Sequence, residues 1–423
     1  MYQLIEIEVT QPLQAIKTEA KHTGIGLKLR CCDRPVGLIL REMPPETTLS
    51  KEELADIIQA EIGTKIIQEK LRDTLSPALD LDAFPSLTVA ICTKDRPENV
   101  ERCLKSLIPL QIPDNTPRFE ILIVDNAPSD DQTQAKVAQF PSVRYTCEPK
   151  AGLDFARNHA LAVATGEFLA FLDDDVVVDR GWYDGLRTAW AENPDAGGFT
   201  GLVMPYELET AAQILFERRG GFGRGYEKIR HGQIAPGNPL YPCGAGIFGA
   251  GCNMAFRRAL LLEIGGFDDA LDTGRPLPGG GDLDIFYRVV RSGTPFIYEP
   301  RYLVYHQHRR DLVGLQRQYW SWGLGFMAFV TKSYESDRDN QGKFRGLVWW
   351  WFRDQVKQLI KSILGQHSLP PKMILAELWG GIQGLLGEYG RSRRRVAKIR
   401  ATTPNDSAIS EANPALVSSK RHE

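Results

Sequence analysis

The chain has 423 residues, of which 43% are hydrophobic and 25% are charged, and its 51 Lys and Arg residues nearly balance its 53 Asp and Glu residues. This composition indicates a globular protein with room for two or three domains and excludes a mainly disordered chain. The formal net charge of −2 argues against a protein that covers nucleic-acid phosphates over its whole surface, so we expect no nucleic-acid partner.

The start of the chain and its cysteines bear on where the protein resides. Residues 1–6 are neither basic nor part of a long apolar stretch, so we expect no cleavable signal. The seven cysteines are irregularly spaced and contain no Cys-x-x-Cys pair, which favours reduced thiols over disulfides or a zinc site. These features predict a cytoplasmic protein.

Residues 1–75 are predicted to form a small α+β module. Residues 26–30 and 36–41 are expected to be two strands around a Cys-Asp-Arg-Pro turn. Ser50 and Glu53 have the spacing of a capping box, which predicts the start of a helix with apolar residues at helical spacing. The Pro-containing stretch 76–86 that follows is predicted to be a linker.

From residue 87 onward, short apolar runs alternate with helical patterns. Residues 87–92, 120–124 and 168–172 are nearly continuous apolar runs, as expected for buried parallel strands, and helices are predicted between them. This order predicts an α/β domain over residues 87–311, with ligands bound near the carboxyl ends of the strands.

Residues 312–400 are predicted to be helical and basic. Apolar residues recur at helical spacing in 347–364, where Arg and Lys are expected on the opposite side, and again in 374–389. Residues 343–400 contain twelve Lys and Arg residues but only three Asp and Glu residues, which gives a net charge of +9.

Basic amphipathic helices rich in tryptophan are typical of elements that lie on an anionic membrane. Residues 347–400 are therefore a candidate contact with the inner face of the cell membrane, which would make the protein peripheral. The alternative is a pair of helices packed on the preceding domain with a solvated basic face. The polar tail, 401–423, is predicted to be disordered.

Three carboxylates, Asp173, Asp174 and Asp175, directly follow the predicted strand 168–172. Adjacent negative charges repel one another and raise each other's pKa. A hard divalent cation such as Mg²⁺ or Mn²⁺ relieves this repulsion through oxygen ligands. An acidic loop that caps the next helix is the alternative, but the place at the carboxyl end of a strand favours a metal site.

Several blocks of the sequence resemble, in content and order, the family 2 glycosyltransferases. They extend over about residues 87–310 and are 89–97, 122–126, 152–158, 166–175, 251–258 with 265–268, and 280–288 with 298–306. The resemblance implies the GT-A fold, a Rossmann-like fold of nucleotide-diphospho-sugar transferases. It also implies an inverting transfer of a sugar, of the hexosyl type, from a nucleotide sugar.

The resemblance assigns roles on the nucleotide side of the site. Asp125 would hydrogen-bond the base, and Thr93 would line the nucleoside pocket. Arg157 would lie near the diphosphate or shape its site. A structural salt bridge for Arg157 and a strand-end cap for Thr93 are the alternatives.

The acidic triplet would provide the DxD motif of the family. Asp175 would be the more direct metal ligand, Asp173 would lie nearer the ribose, and Asp174 would complete the donor-binding triplet. A cation bridging a carboxylate and the diphosphate would stabilise the charge that develops as the glycosidic bond breaks.

Three further residues are predicted near the sugar and the metal. Gly251 or Asn253 would contact the donor sugar. His306 ends a predicted strand, where the family pattern has a histidine, and would contact metal or diphosphate. His308 would lie on the same side of that strand because side chains two residues apart share a face, although a structural histidine is the alternative for both.

The acceptor hydroxyl is a poor nucleophile and needs a general base. The resemblance assigns that role to Asp282, with Asp284 as a less favoured alternative that is expected to turn inward. The family has Glu directly before this Asp, whereas this chain has Gly281, which puts an acceptor contact of the missing Glu in doubt.

These inferences predict a metal-assisted glycosyltransferase of glycan, glycolipid or polysaccharide biosynthesis. A UDP-sugar is the expected donor, with GDP- and dTDP-sugars left open, and the acceptor would be a carbohydrate or lipid-linked hydroxyl. Tyr319 stands where the QxxRW motif of processive synthases requires Arg, which favours a single addition. The rival functions are a metal-dependent phosphoesterase and a catalytically silent scaffold or binding protein.

Overall fold

The computed structural model describes residues 1–75, 79–111, 118–235, 237–274, 276–366 and 369–403. Part of the predicted linker, 76–78, and most of the predicted disordered tail, 404–423, lie outside these described residues.

The first 75 residues form a three-stranded sheet and one long helix. Strand β3 lies in the middle, parallel to β1 and antiparallel to β4, and α1 packs on the sheet through Leu54, Ile58 and Ile62. The capping box at the start of α1 is confirmed, because the Ser50 N–H donates to Glu53 Oε2 at 2.9 Å and the Glu53 N–H donates to Ser50 Oγ at 3.2 Å. The elements are β1 (Tyr2–Glu8), β2 (Ile16–Lys17), β3 (Gly24–Cys31), β4 (Arg34–Glu42), β5 (Thr48–Leu49) and α1 (Lys51–Leu75).

A nine-stranded sheet flanked by helices forms the centre of the molecule. The strand order is β10-β14-β11-β13-β9-β6-β7-β8, and β12 pairs with β14 beside this path. The elements are β6 (Leu87–Thr93), α2 (Pro97–Gln111), β7 (Glu120–Asn126), α3 (Gln132–Val137), β8 (Val143–Glu148), α4 (Leu153–Val163), β9 (Phe168–Asp173), β10 (Val176–Val178), α5 (Trp182–Glu192), β11 (Gly198–Pro205), α6 (Ala211–Arg218), β12 (Ile229–His231), β13 (Asn253–Arg257), α7 (Arg258–Glu263), α8 (Gly281–Arg291) and β14 (Phe296–His306).

The two halves of this sheet differ in strand direction. Strands β8, β7, β6 and β9 are all parallel, and β6, β7 and β9 are the strands predicted from their apolar runs. Beyond β9 the sheet is mixed, because β13 runs antiparallel to both β9 and β11 whereas β11 and β14 are parallel. The predicted α/β fold with a Rossmann-like parallel core is therefore confirmed.

The helical nature predicted for the region after residue 312 is also confirmed. Helices α9 and α11 approach closely through glycines: a Cβ on Gly323 would lie 2.0 Å from the Glu377 carbonyl oxygen, and a Cβ on Gly380 would lie 2.0 Å from that of Trp320. Among the described residues, no helix combines the length and hydropathy needed to span a membrane. The elements are α9 (Leu312–Ser336), α10 (Gln341–Ile363), α11 (Pro371–Gln383), a π-helical turn (Gly384–Glu388) and α12 (Tyr389–Thr402).

Candidate active site

The carboxyl ends of three adjacent strands bring the predicted donor-side residues together. The register of the parallel pairs places Thr93 of β6 opposite Asp125 of β7, and Cys92 of β6 opposite Asp173 of β9. The antiparallel pairing of β10 with β14 sets Val176 opposite His306. Residues from four strands thus meet at one edge of the sheet.

Asp173, Asp175 and His306 form a cluster that can hold a cation. Ligand atoms of the three side chains all lie within 4.8 Å of one another, and His306 Nε2 lies 3.2 Å from Asp175 Oδ1. That oxygen is buried and makes no hydrogen bond of standard geometry among the described residues. Two carboxylates and an imidazole are a donor set that suits Mn²⁺ or Mg²⁺, so the residues present fit the predicted metal.

Electrostatics within this cluster separate its two carboxylates. Burial and the charge of Asp175 raise the pKa of Asp173 to about 6. Burial alone would raise the pKa of Asp175 as well, but the nearby His306 lowers it below its usual value. In turn Asp175 more than offsets the effect of burial and raises the pKa of His306, which favours a proton on the imidazole, and a bound cation would compete with that proton.

His308 lies next to His306, on the side away from Asp175, and orients its ring. His308 Nε2 lies 2.7 Å from Glu217 Oε1, and its Nδ1 lies 3.1 Å from His306 Nδ1. When His308 donates Nε2–H to the carboxylate, its Nδ1 accepts the Nδ1–H of His306. The Nε2 atom of His306 is then directed at Asp175, with its lone pair available once its proton has left.

Asp174 points away from the metal cluster. Its two oxygens accept hydrogen bonds from Thr93 Oγ1 at 2.7 Å and Arg96 Nη1 at 3.0 Å. The Thr93 hydroxyl therefore donates its hydrogen bond to a protein side chain, which agrees with the alternative role of Thr93 as a strand-end cap. The Arg96 guanidinium also lies 3.9 Å from Asp175 Oδ2. The sequence analysis assigned Arg96 no specific role, although its position just after β6 could have indicated one.

Asp125 has one satisfied and one unsatisfied oxygen. Its Oδ2 accepts a hydrogen bond from the Tyr145 hydroxyl at 3.0 Å, a partner that sequence reasoning missed. Its Oδ1 is buried and has no hydrogen-bond partner among the described residues. Burial raises the pKa of this carboxyl group, as expected for a buried acid with one acceptor left open.

Arg157 belongs to a second buried cluster, with Asp154 and Asp272. Its Nη1 donates to Asp154 Oδ1 at 2.9 Å and to Asp272 Oδ2 at 3.4 Å. These carboxylates lie beside Gly281, where a Cβ would meet Asp154 Oδ2 at 2.2 Å and Asp272 Oδ2 at 2.5 Å. The two acids thus fill the space next to the position where the family has Glu, and sequence reasoning missed both.

Asp282 is held at the start of α8 by two peptide groups. The Gly251 N–H donates to its Oδ2 at 3.2 Å and the Leu283 N–H donates to its Oδ1 at 2.8 Å, and the side chain remains partly exposed. Next to Gly251, the Cys252 carbonyl accepts the Asp173 N–H at 3.4 Å. The backbone of two consecutive residues therefore connects Asp282 with the metal cluster.

The charges of these acids influence the same neighbouring side chains. Burial first, and then the charges of Asp173, Asp175 and Asp282, raise the pKa of the Cys252 thiol. Burial lowers the pKa of Arg157, but the charges of Asp154 and Asp272, followed by those of Asp173 and Asp282, raise it overall. Asp173 and Asp282 therefore act on two of the same neighbouring side chains, those of Cys252 and Arg157.

Two other predicted residues lie in the core. Asp284 is fully buried and paired with Arg288 and Lys332, so it turns inward as expected for the less favoured base. Asn253 is also fully buried; its amide oxygen accepts Trp182 Nε1–H at 3.0 Å and its amide nitrogen donates to the Tyr302 carbonyl at 2.7 Å. Because both ends of the amide are engaged, this placement does not support its predicted contact with a donor sugar.

Comparisons with known proteins point to one family. Residues 88–265 match the model of "Glycosyl transferase family 2". The "Pre-mycofactocin glycosyltransferase" of Mycobacterium tuberculosis (strain CDC 1551 / Oshkosh) is 26% identical over 53% of this chain and 43% of its own length. The "Succinoglycan biosynthesis protein ExoM" of Rhizobium meliloti (strain 1021) is 30% identical over 51% of this chain and 66% of its own length. The matched segment thus spans less than two thirds of either relative.

One solved structure has a similar chain path. It is "Mannosyltransferase PcManGT from Pyrobaculum calidifontis in complex with GDP-Man and Mn2+", which is 17% identical, covers 86% of this chain and 89% of its own, and gives a TM-score of 0.43. The family match and the two relatives, taken with the half-parallel sheet described above, confirm the predicted family and fold class. Residues 88–265 of this chain thus carry its similarity to glycosyl transferase family 2.

Proposed function

We propose that this protein transfers a sugar from a nucleoside-diphosphate sugar to an acceptor hydroxyl with inversion at the anomeric carbon. The observation that carries the proposal is the link between the two acidic centres. Gly251 holds Asp282, and the adjoining Cys252 holds the backbone of Asp173. A donor whose diphosphate lies at the metal cluster therefore has its sugar within reach of a base.

The donor-side residues supply the nucleotide contacts in this account. The free Oδ1 of Asp125 is the acceptor for an N–H of the base, and Tyr145 fixes the carboxylate that offers it. Asp173, Asp175 and His306 would hold the divalent ion. When bound, such an ion supplies positive charge that stabilises the departing diphosphate.

On the acceptor side, Asp282 takes the proton of the attacking hydroxyl. Each of its oxygens already accepts one peptide N–H, which fixes the plane of the carboxylate and leaves a lone pair on each oxygen for the acceptor. A single displacement needs one such base and leads to inversion. Arg157, locked between Asp154 and Asp272, shapes the floor of the site between Asp173 and Asp282.

We propose a chemical class for the donor base and for the acceptor. A free carboxylate acceptor at Asp125 suits a base with an imino N–H, which uracil, guanine and thymine all carry. Of these we propose uracil. The acceptor is proposed to be a carbohydrate or lipid-linked hydroxyl. The names of the two relatives refer to different products, pre-mycofactocin and succinoglycan.

The test is a panel of UDP-, GDP- and dTDP-sugars with Mn²⁺ and a mixture of sugar and lipid-linked acceptors, with nucleotide release measured for wild type, Asp282→Asn and Asp339→Asn. Asp339 is an exposed surface carboxylate and serves as the control. We expect Asp282→Asn to lose transfer at least a hundredfold while it still binds donor, and Asp339→Asn to match wild type. Release of inorganic phosphate without an acceptor would instead show a phosphoesterase, and near-normal turnover of Asp282→Asn would exclude this base.

A further inference from the structure

The C-terminal helices expose an unusual number of large apolar side chains. On α10, Trp349 is 65% exposed, Ile360 54% and Ile363 67%. On α11, Trp379 is 56% exposed. We call these residues and their exposed apolar neighbours the C-terminal apolar face; its members are Trp349, Trp350, Val356, Ile360, Ile363, Leu364, Leu375, Trp379, Ile382, Leu385 and Leu386.

Helical geometry gathers these residues into stripes. At about 100° per residue, positions 349, 356, 360 and 363 lie within roughly 60° of one another on α10. The opposite side of α10 is used for packing and buries Phe344, Leu347 and Trp351 in the core. On α11 the exposed positions 375, 379 and 382 recur at i, i+4 and i+7, so each helix has one packed side and one apolar side that nothing in the described chain covers.

Helices α10 and α11 pack against each other. The ring of Trp351 on α10 lies so close to Gly381 on α11 that a Cβ there would be 2.5 Å from it. Both stripes are therefore presented by neighbouring helices, and Leu385 and Leu386 extend the second stripe into the π-helical turn.

Positive charge flanks the apolar stripe of α10. Lys357 and Lys361 lie beside it at 80–120° by the same geometry, and the guanidinium of Arg353 stacks over the exposed Trp349 ring at 5.0 Å. The expectation that the basic residues stand opposite the apolar ones is therefore wrong; the opposite side packs on the domain. Arg345, Lys357 and Lys361 are exposed and have no ion pair among the described residues.

We propose that the C-terminal apolar face binds the surface of an anionic lipid membrane. Charge complementarity selects this occupant, because exposed tryptophans and uncompensated basic side chains on the same helix match an apolar layer under negative headgroups. A second copy of this chain would bring the same positive charges, +9 over residues 343–400, against one another, which disfavours a self-association through this face. The proposal does not depend on the proposed sugar transfer.

Vesicle flotation tests the proposal with the full chain. We expect the protein to float with vesicles of phosphatidylcholine and phosphatidylglycerol at 7:3, and to stay at the bottom with pure phosphatidylcholine. Replacing Lys357→Gln and Lys361→Gln together should lower the partition coefficient about 25-fold, since each basic residue near such a surface contributes about a fivefold factor. The matched control is Lys51→Gln with Lys105→Gln, which removes two exposed lysines elsewhere and should have little effect.

A second pair of variants tests the apolar contribution. Trp349→Ser with Ile360→Ser should reduce flotation at least tenfold. Its control, Ile67→Ser with Leu71→Ser, alters two equally exposed apolar residues of α1 and should leave flotation unchanged. Equal binding to neutral and anionic vesicles, or target pairs that behave like their controls, would overturn the proposal. So would a stable dimer that the Ile360 change dissociates while no flotation occurs.

Discussion

Two mostly buried carboxylate pairs lie close together in this molecule and differ in the basic side chain that accompanies them. Asp173 and Asp175 share their site with His306, whereas Asp154 and Asp272 share theirs with Arg157. The nearest basic side chain is an imidazole in the first pair, with Arg96 further away at 3.9 Å from Asp175, and a guanidinium in the second. We call them the histidine cluster and the arginine cluster.

The basic member decides what each cluster can do. A guanidinium has no lone pair to offer and stays charged at any relevant pH, so it offsets the charge of the acids at every such pH and cannot become a metal ligand. An imidazole can lose its proton and become a ligand. Counting acids therefore cannot distinguish a metal site from a structural ion-pair cluster, whereas the identity of the third partner can.

The largest expected effect is on the histidine cluster. Asp175→Asn removes its most strongly ionised carboxylate and should lower kcat about a hundredfold to a thousandfold, because a preorganised charge at the leaving group contributes on that scale. Mn²⁺ binding measured by calorimetry should be lost as well. Asp174→Asn is the neighbouring control: that carboxylate faces Thr93 and Arg96, so the variant should keep its Mn²⁺ binding. If both variants bind Mn²⁺ equally, the histidine cluster is not the metal site.

Substitutions in the arginine cluster should lower the stability of the fold. Arg157→Gln leaves two buried carboxylates without their cation, which should lower the free energy of unfolding by about 3–5 kcal/mol. Urea denaturation followed by tryptophan fluorescence measures this change. Arg310→Gln removes a half-exposed side chain from its ion pairs with Glu207 and Glu209 and should cost about 1 kcal/mol or less. An equal, small loss in both variants would refute a structural role for Arg157.

A smaller effect is expected from the residue behind the metal ligand. His308→Phe removes the acceptor of the His306 Nδ1–H, while the new ring fits beside Phe216 and Phe222, which already surround the imidazole. Loss of such a partner should weaken Mn²⁺ binding about 10- to 100-fold. Calorimetric titration gives the affinity, and unchanged binding would show that His306 needs no orienting partner.

The smallest expected effect is on how Mn²⁺ affinity depends on pH. The pKa of Asp173 is raised to about 6 and that of His306 is also raised, so both bind protons that compete with a cation. Mn²⁺ affinity should therefore fall as the pH drops, first as His306 is protonated and more steeply below about pH 6, by about tenfold per pH unit for each proton. In His306→Gln only the Asp173 proton should remain, and an identical slope in both proteins would exclude His306 as a ligand.

The sequence allowed the histidine cluster and the parallel half of the sheet to be predicted, because both depend on local signals. Apolar runs mark β6, β7 and β9, and the acids of the triplet stand directly at a strand end. His306 was found through the family pattern of its strand.

The arginine cluster could not be predicted in the same way. Asp272 is 115 residues from Arg157 along the chain, and no periodicity links an isolated acid to a distant arginine. The role of Gly281 was equally hidden, since the steric fit of Asp154 and Asp272 beside it exists only in three dimensions. The antiparallel strand β13 gave no sign of its direction, because pairing direction depends on the chain path and not on composition.

The most direct test of the central claim measures how a nucleoside diphosphate binds. UDP, GDP and dTDP should be titrated by calorimetry into wild type and Asp175→Asn, each with Mn²⁺ and with EDTA. The account predicts that the preferred nucleotide binds wild type at least tenfold more tightly with Mn²⁺ and that this difference disappears in the variant. Equal affinity of wild type with Mn²⁺ and with EDTA, for every nucleotide that binds, would contradict a metal-held diphosphate.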